Sequence, residues 1–236
     1  MTTIDQRLAQ VAQQIRQACA QAGRDPAQLT LLAVSKTFGP EAVLQAMDAG
    51  QSAFGENYIQ EGVEKIQAVR AARPAAALQW HCIGPVQSNK TRLVAEHFDW
   101  LQSLDRLKIA QRLSEQRPAG KAPLQVCLQV NVDGGPSKSG VAPAELPALA
   151  EAVAALPNLR LRGLMCIPEP AEGFEAQRAV FAQARALFDQ LNGRGFALDT
   201  LSMGMSEDLD AAIAAGSTMV RVGRGIFGSR ETKPGV

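Results

Sequence analysis

Eight short apolar runs, separated by helix-length segments, constrain this chain more than any other feature. They are TLLAVS from Thr30, SAFGE from Ser52, LQWHCIG from Leu78, FDWLQSL from Phe98, LQVCLQVNV from Leu124, LRLRGLMCI from Leu159, TLSMG from Thr200 and TMVRVG from Thr218. Runs that are apolar at nearly every position suit strands buried on both faces, as in a parallel sheet covered by helices. Between them lie helical segments such as EAVLQAMDAG and the stretch from Glu172 to Asn192, in which Phe174, Phe181, Phe188 and Leu191 share a face. Pro143, Pro157 and Gly50 stand where helices should start or stop. Eight strand–helix units in 236 residues fit a closed (β/α)8 TIM barrel better than an open sheet. No Gly/Ser- or Pro-rich linker divides the chain, so residues 1–236 are expected to form one α/β domain. Ahead of the first strand, Ile4, Leu8, Val11, Ile15 and Cys19 recur at spacings of three and four. They predict an extra N-terminal helix that covers one end of the barrel or a flank.

Composition removes several function classes. The formal net charge is +1 and no lysine- or arginine-rich block stands out, so there is no electrostatic footprint for nucleic acid or an anionic membrane. The N-terminus lacks the apolar core of a signal peptide, and no segment approaches a membrane span. Cys19, Cys82, Cys127 and Cys166 are scattered without CxxC spacing, and His81 and His97 are the only histidines. Neither set suggests a metal centre, and the cysteine usage points to a reducing cytoplasm.

Residues 223–228 read GRGIFG, a literal G-x-G-x-x-G. That pattern signals a dinucleotide only when it follows the first strand, opens a long helix and precedes an acidic residue about 20 positions on. Here it follows the last strand run, with no further βα unit before Val236, and dinucleotide binding is not expected. The glycines suit another role. Loops after the last two strands of a barrel commonly hold a phosphate on backbone N–H groups, and Gly223 and Gly225 allow close approach. In the preceding unit, SMGMSEDLD, Ser206 comes just before a helical run. It reads either as a plain helix N-cap or as a phosphate ligand at the barrel mouth, and the two are compatible.

Lys36 follows the first apolar run, in LTLLAVSKTFGP. A lysine there is either a solvated loop residue or a functional amine, because barrel active sites lie at the C-terminal strand ends. An amine so placed can attack a carbonyl and form a Schiff base. A Schiff-base lysine at one strand end and a phosphate cup at another together describe a pyridoxal phosphate site. Arg221, inside TMVRV just before the cup, then needs a partner, and the pyridine nitrogen of that cofactor is a suitable acceptor.

Longer motifs support this reading: AVSKT (33–37), FGENY (54–58), WHCIGPVQSNKTR (80–92), QVNVDGGPSKSG (129–140), GLMCIP (163–168) and LSMGMSEDLDAAIAAGSTMVRVGRGIFG (201–228). With these the chain resembles the pyridoxal phosphate homeostasis proteins, single-domain relatives of the barrel domain of bacterial alanine racemase. The resemblance implies that Lys36 carries the cofactor as a Schiff base. It also implies that Ser206 and the backbone at Gly223 and Arg224 hold the phosphate, that Arg221 faces the pyridine nitrogen, and that Asn57 contacts the cofactor. Relatives often have threonine where this chain has Arg224. Either the guanidinium replaces the lost hydroxyl, or it points outward and only the N–H binds.

An arginine beside the pyridine nitrogen keeps that nitrogen unprotonated and makes the ring a weaker electron sink. A racemase can still use such a ring if it places bases on both faces of the substrate. In alanine racemases the opposing base is a tyrosine of the partner's second domain, for which this sequence has no counterpart. Its single tyrosine, Tyr58, reads as a pocket wall more readily than as a base, His81 as a core histidine, and Lys138 as a solvated loop residue. The expectation is a monomeric cytoplasmic protein that holds pyridoxal phosphate reversibly without efficient catalysis. It would buffer the cofactor, deliver it to apo-enzymes that use it, and so influence amino- and keto-acid balance. The alternatives are a low-efficiency monomeric amino-acid racemase, and a phosphate-binding barrel enzyme in which Lys36 is a general base.

Overall fold

The computed structural model describes residues 2–135 and 139–228. Its strands are β1 (Thr30–Val34), β2 (Ala53–Glu56), β3 (Gln79–Cys82), β4 (Trp100–Leu104), β5 (Leu124–Gln129), β6 (Leu159–Met165), β7 (Thr200–Ser202) and β8 (Met219–Val222). All pair in parallel with their sequence neighbours, and β8 closes onto β1 with Leu32 opposite Arg221, giving the expected (β/α)8 barrel. Each apolar run holds one strand. The fifth run outlasts its strand because the chain leaves the ladder after Gln129, and Val130 bridges Val141 instead.

Around the barrel lie α1 (Ile4–Gln21), α2 (Pro40–Asp48), α3 (Ile59–Ala72), α4 (Thr91–His97), α5 (Leu107–Gln116), α6 (Leu146–Ala154), α7 (Phe174–Gly193), α8 (Leu209–Ala214) and α9 (Arg224–Phe227). The helix after the last strand, α9, is too short to cover its share of the sheet. The N-terminal helix supplies that cover: α1 packs against α2, α8 and α9 and buries Leu8, Val11, Ile15 and Cys19. Arg24, just past its end, donates from Nη1 to the carbonyls of Ile213 (2.8 Å) and Ser217 (2.7 Å), fastening α1 to α8. The extra helix thus lies on a flank. On α7, Phe181, Phe188 and Leu191 are buried, but Phe174 is 47% exposed. It shares their face, yet at the first residue of the helix it overhangs the barrel rim instead of packing on the sheet.

Strand alternation sorts the side chains into two layers. In β1, Ala33 joins the main core between sheet and helices, whereas Leu32 and Val34 pack inside the barrel with Ala53, Ile83 and Met219. In β8, Val220 and Val222 face the helices, and the alternate positions Met219 and Arg221 face inward. Extending these rows by one step past the strand ends puts Lys36, Asn57 and Gly223 on the inner row at the mouth. Ser35 and Glu56 fall on the outer row, under α3. Close strand approach is needed at Gly163: a Cβ there would lie 1.6 Å from the carbonyl oxygen of Thr200, its partner on β7.

Candidate functional site

Lys36 sits two residues beyond β1, half-buried, and makes no hydrogen bond or ion pair among the described residues. The glycine cup reaches the same place from β8. A Cβ on Gly223 would come within 3.3 Å of the Val34 carbonyl oxygen, so glycine lets the β8–α9 turn lie against the end of β1. Gly225 is equally confined: its Cβ would meet Val222 at 2.9 Å and stand 3.7 Å from Ser206 Oγ. The structure thus brings the Ser206 hydroxyl over the cup. Asp208, not Ser206, occupies the N-cap position of α8, and its Oδ1 accepts from the Met205 N–H at 2.5 Å. The plain-cap reading of Ser206 therefore does not apply. The first N–H groups of α9, beginning with Arg224, have no carbonyl within the helix to accept them. Arg224 sends its side chain outward, where Nη2 donates to Glu207 Oε1 at 2.8 Å.

Arg221 is buried in the barrel. Its Nη1 donates to Ser202 Oγ (2.7 Å) and its Nη2 to the Cys166 carbonyl (2.9 Å). Burial pulls its pKa down, and no carboxylate pairs with it among the described residues. A guanidinium carries five N–H donors, so several here lack an acceptor among the described residues. The bond to Ser202 also fixes a chain of donors below the site. Ser202 accepts from arginine, so its own proton goes to Gln102 Oε1 (2.6 Å), and Gln102 Nε2 faces His81 Nδ1 (2.9 Å). Nδ1 must then accept, which places the His81 proton on Nε2.

His81 stacks on Trp100 with centroids 4.9 Å apart and is fully enclosed. Burial pushes its pKa down to about 3 from an ordinary 6.5. It lies beneath the mouth, away from any base position there. Between those two values the unfolded chain binds a proton that the folded protein refuses. Its contribution to stability is full above 6.5 and is lost as pH falls toward 3. In denaturation curves taken from about pH 7 to about pH 4, His81→Gln is expected to flatten that decline.

On the far side of the mouth a cleft of about 220 Å³ opens from Asn57 past Ile83 and Ser103 to Arg106 and Gln129. Gly84 permits it, since a Cβ there would lie 2.0 Å from the Asn57 carbonyl oxygen. Asn57 Oδ1 is buried with no partner among the described residues. Tyr58, next in sequence, is an exposed rim residue. Lys138 lies outside the described residues. All four cysteines are free and buried, and burial holds Cys82, Cys127 and Cys166 up to about 12, so they stay as thiols. No group of metal-ligating side chains occurs, and no helix is long and apolar enough to cross a membrane, among the described residues.

The residue set fits pyridoxal phosphate. Among the described residues it offers a primary amine without a partner, glycine turns against which an anion can lie, unspent arginine donors and an amide oxygen with no donor. Lys36, the glycine turns, Arg221 and Asn57 were all named from the sequence, Asn57 through the resemblance. The group that sequence reasoning missed lies on the outer row: Lys65 Nζ donates to Glu56 Oε1 (2.7 Å), to Glu61 Oε1 (3.1 Å) and to the Ser35 carbonyl (2.8 Å). Lys65 would have passed for a solvated helix lysine; its only signal is adjacency to the buried positions Ile66 and Gly62 on α3.

Comparison with known proteins agrees with this geometry. The family model for the alanine racemase N-terminal domain matches residues 6–231. A pyridoxal phosphate homeostasis protein of Pseudomonas aeruginosa is 62% identical over 98% of this chain and 97% of its own length. One from Escherichia coli K12 is 54% identical, covering 98% of both. Among solved structures, PipY of Synechococcus elongatus PCC7942 with PLP bound superposes with a TM-score of 0.81 at 37% identity, over 96% of this chain and all of that one. An alanine racemase from Corynebacterium glutamicum, 19% identical with a TM-score of 0.64 over 62% of its length, shares the barrel fold. The chain therefore belongs to the family of pyridoxal phosphate homeostasis proteins, built on the barrel of the alanine racemase N-terminal domain.

Proposed function

We propose that this protein binds pyridoxal phosphate at the barrel mouth, on Lys36, and serves the homeostasis of that cofactor without efficient catalysis of its own. One observation carries the reading. A half-buried amine with no hydrogen bond or ion pair among the described residues stands on the same inner row as a buried arginine that lacks a carboxylate. The cofactor supplies an aldehyde, with which a lysine amine condenses to a Schiff base with loss of water. Lys36 presents that amine. Ser206 and the N–H groups opening α9 after Gly223 receive the phosphate, with Arg224 contributing its backbone while its side chain stays on Glu207. Arg221 directs its unspent donors at the pyridine nitrogen, and Asn57 offers its amide. A donor at that nitrogen opposes protonation, which weakens the ring as an electron sink. The mouth offers no second buried base opposite Lys36 among the described residues, since His81 is enclosed beneath it and Tyr58 is on the rim. Holding and releasing the cofactor, as a cytoplasmic monomer that supplies apo-enzymes, is the function that remains.

Purified protein incubated with pyridoxal phosphate is expected to turn yellow. Borohydride reduction followed by peptide mapping is expected to find the cofactor on Lys36; colourless protein, or label on another lysine, would overturn the reading. Single enantiomers of amino acids then separate holding from turnover. Lys36-dependent inversion of any of them would make the protein a racemase.

A further inference from the structure

We infer that Glu61, working with Lys65 and Glu56, is a positioning residue that holds the two peptides flanking Lys36 and so aims its amine into the mouth. The inference rests on the proposed role of Lys36. The peptide before Lys36 is gripped through Ser35: its carbonyl accepts from Lys65 Nζ at 2.8 Å, and its hydroxyl donates to Glu56 Oε1 at 2.6 Å. The peptide after Lys36 is gripped through Thr37, whose N–H donates to Glu61 Oε1 at 2.6 Å. The same Glu61 oxygen and Glu56 Oε1 also receive Lys65, so the ammonium joins both grips into one unit. All three donors of Lys65 are thereby used.

A second, independent feature agrees. Thr37 has φ +68°, the only left-handed non-glycine residue among those described. A conformation disfavoured for a β-branched residue persists only where its surroundings over-determine it, and here the bond to Glu61 does so. Gly62 makes the reach possible. A Cβ at that position would meet Phe98 at 2.8 Å and Glu56 Cβ at 3.1 Å, so glycine lets α3 lie close enough to β2 for Lys65 to arrive beneath Ser35. The side chain of Lys36 itself takes part in none of these bonds. The device fixes the backbone and leaves the amine unengaged.

Glu61 is the member to test, because it is about one-third exposed and its loss leaves the buried Lys65–Glu56 pair intact. Wild-type, Glu61→Ala and Glu61→Gln proteins would be titrated with pyridoxal phosphate. Glu61→Ala is expected to bind about tenfold more weakly, the worth of one hydrogen bond to a charged group. Glu61→Gln keeps an oxygen for the Thr37 N–H and is expected to stay within about twofold of wild type. In cofactor-free protein, exchange of the Thr37 amide should quicken about tenfold in Glu61→Ala and hold in Glu61→Gln. Unchanged affinity in Glu61→Ala, equal losses in the two variants, or unchanged Thr37 exchange overturns the inference. So does a fall in melting temperature that accounts for the weaker binding. If the wild-type protein fails to take up the cofactor, the proposed function fails, while Thr37 exchange still decides whether the tether exists.

Discussion

Lys36→Ala is expected to leave the protein colourless with pyridoxal phosphate and to remove all borohydride-trapped cofactor. Residual non-covalent binding through Ser206, the glycine cup and Arg221 should be weaker by about a hundredfold. The fold should not notice the change. The Lys36 side chain makes no hydrogen bond or ion pair among the described residues, so the melting temperature is expected to stay within about 2 °C of wild type. Absorbance titration and thermal denaturation of the same samples test both halves. Unchanged colour in the variant would move the covalent site to another amine and dissolve the grouping of Lys36 with Arg221.

Lys65→Met should do the reverse, damaging the fold far more than its position on a helix implies. Lys65 is 3% exposed and Glu56 fully buried, 2.7 Å apart. Removing the ammonium leaves the buried Glu56 carboxylate without its charge partner, with only the Ser35 hydroxyl still donating to it, which typically costs about 3–5 kcal/mol. The cost should depend on pH in a defined direction. Burial raises the Glu56 pKa above 4.5, and Lys65 is the chief influence pulling it back down. A carboxyl with a raised folded pKa favours the fold fully below its unfolded value, and loses that advantage as pH rises through the folded value. Without Lys65 the folded value climbs further. The variant should therefore be hurt more at about pH 8 than at about pH 5 in urea denaturation. Adding Glu56→Gln should recover much of the loss, because both charges are then gone. A penalty that ignores pH would mean that packing, not charge, is what Lys65 provides.

The two variants bracket how the site is built. The Lys36 side chain makes no hydrogen bond or ion pair among the described residues, and its backbone is secured from the outer row by Lys65, Glu56 and Glu61. The inner row carries the contrasting arrangement. Arg221 is committed on one side to Ser202 and the Cys166 carbonyl, and the polar chain through Gln102 ends on a histidine too deeply buried to charge near neutrality.

Much of this was legible before folding. Strands buried on both faces must be apolar throughout, so eight runs announced eight strands, and their alternation with helical segments left a closed parallel barrel as the natural packing. Lys36, Gly223 and Arg221 were visible because they interrupt or end such runs, where a charge or a bare backbone needs a reason. Phe174 marks the limit of periodicity, which assigns a helix face but not how far the covering sheet extends beneath it. Likewise, Ser206 sat where either a cap or a ligand belongs, and only the path of the α8 turn placed Asp208 in the cap position and the hydroxyl over Gly225. Period-two alternation places a residue inside or outside the barrel, and that is a local property. Which residue it meets there depends on barrel register and on how closely each helix approaches. No local pattern shows that Gly62 lets α3 bring Lys65 under Ser35, or that the long-range pairing of β1 with β8 sets Arg221 beside Leu32. The sequence by itself determined the barrel and named the candidate residues at its mouth. Tertiary structure decided what holds that chemistry in place, because the buried charges have meaning only once each has its partner within reach.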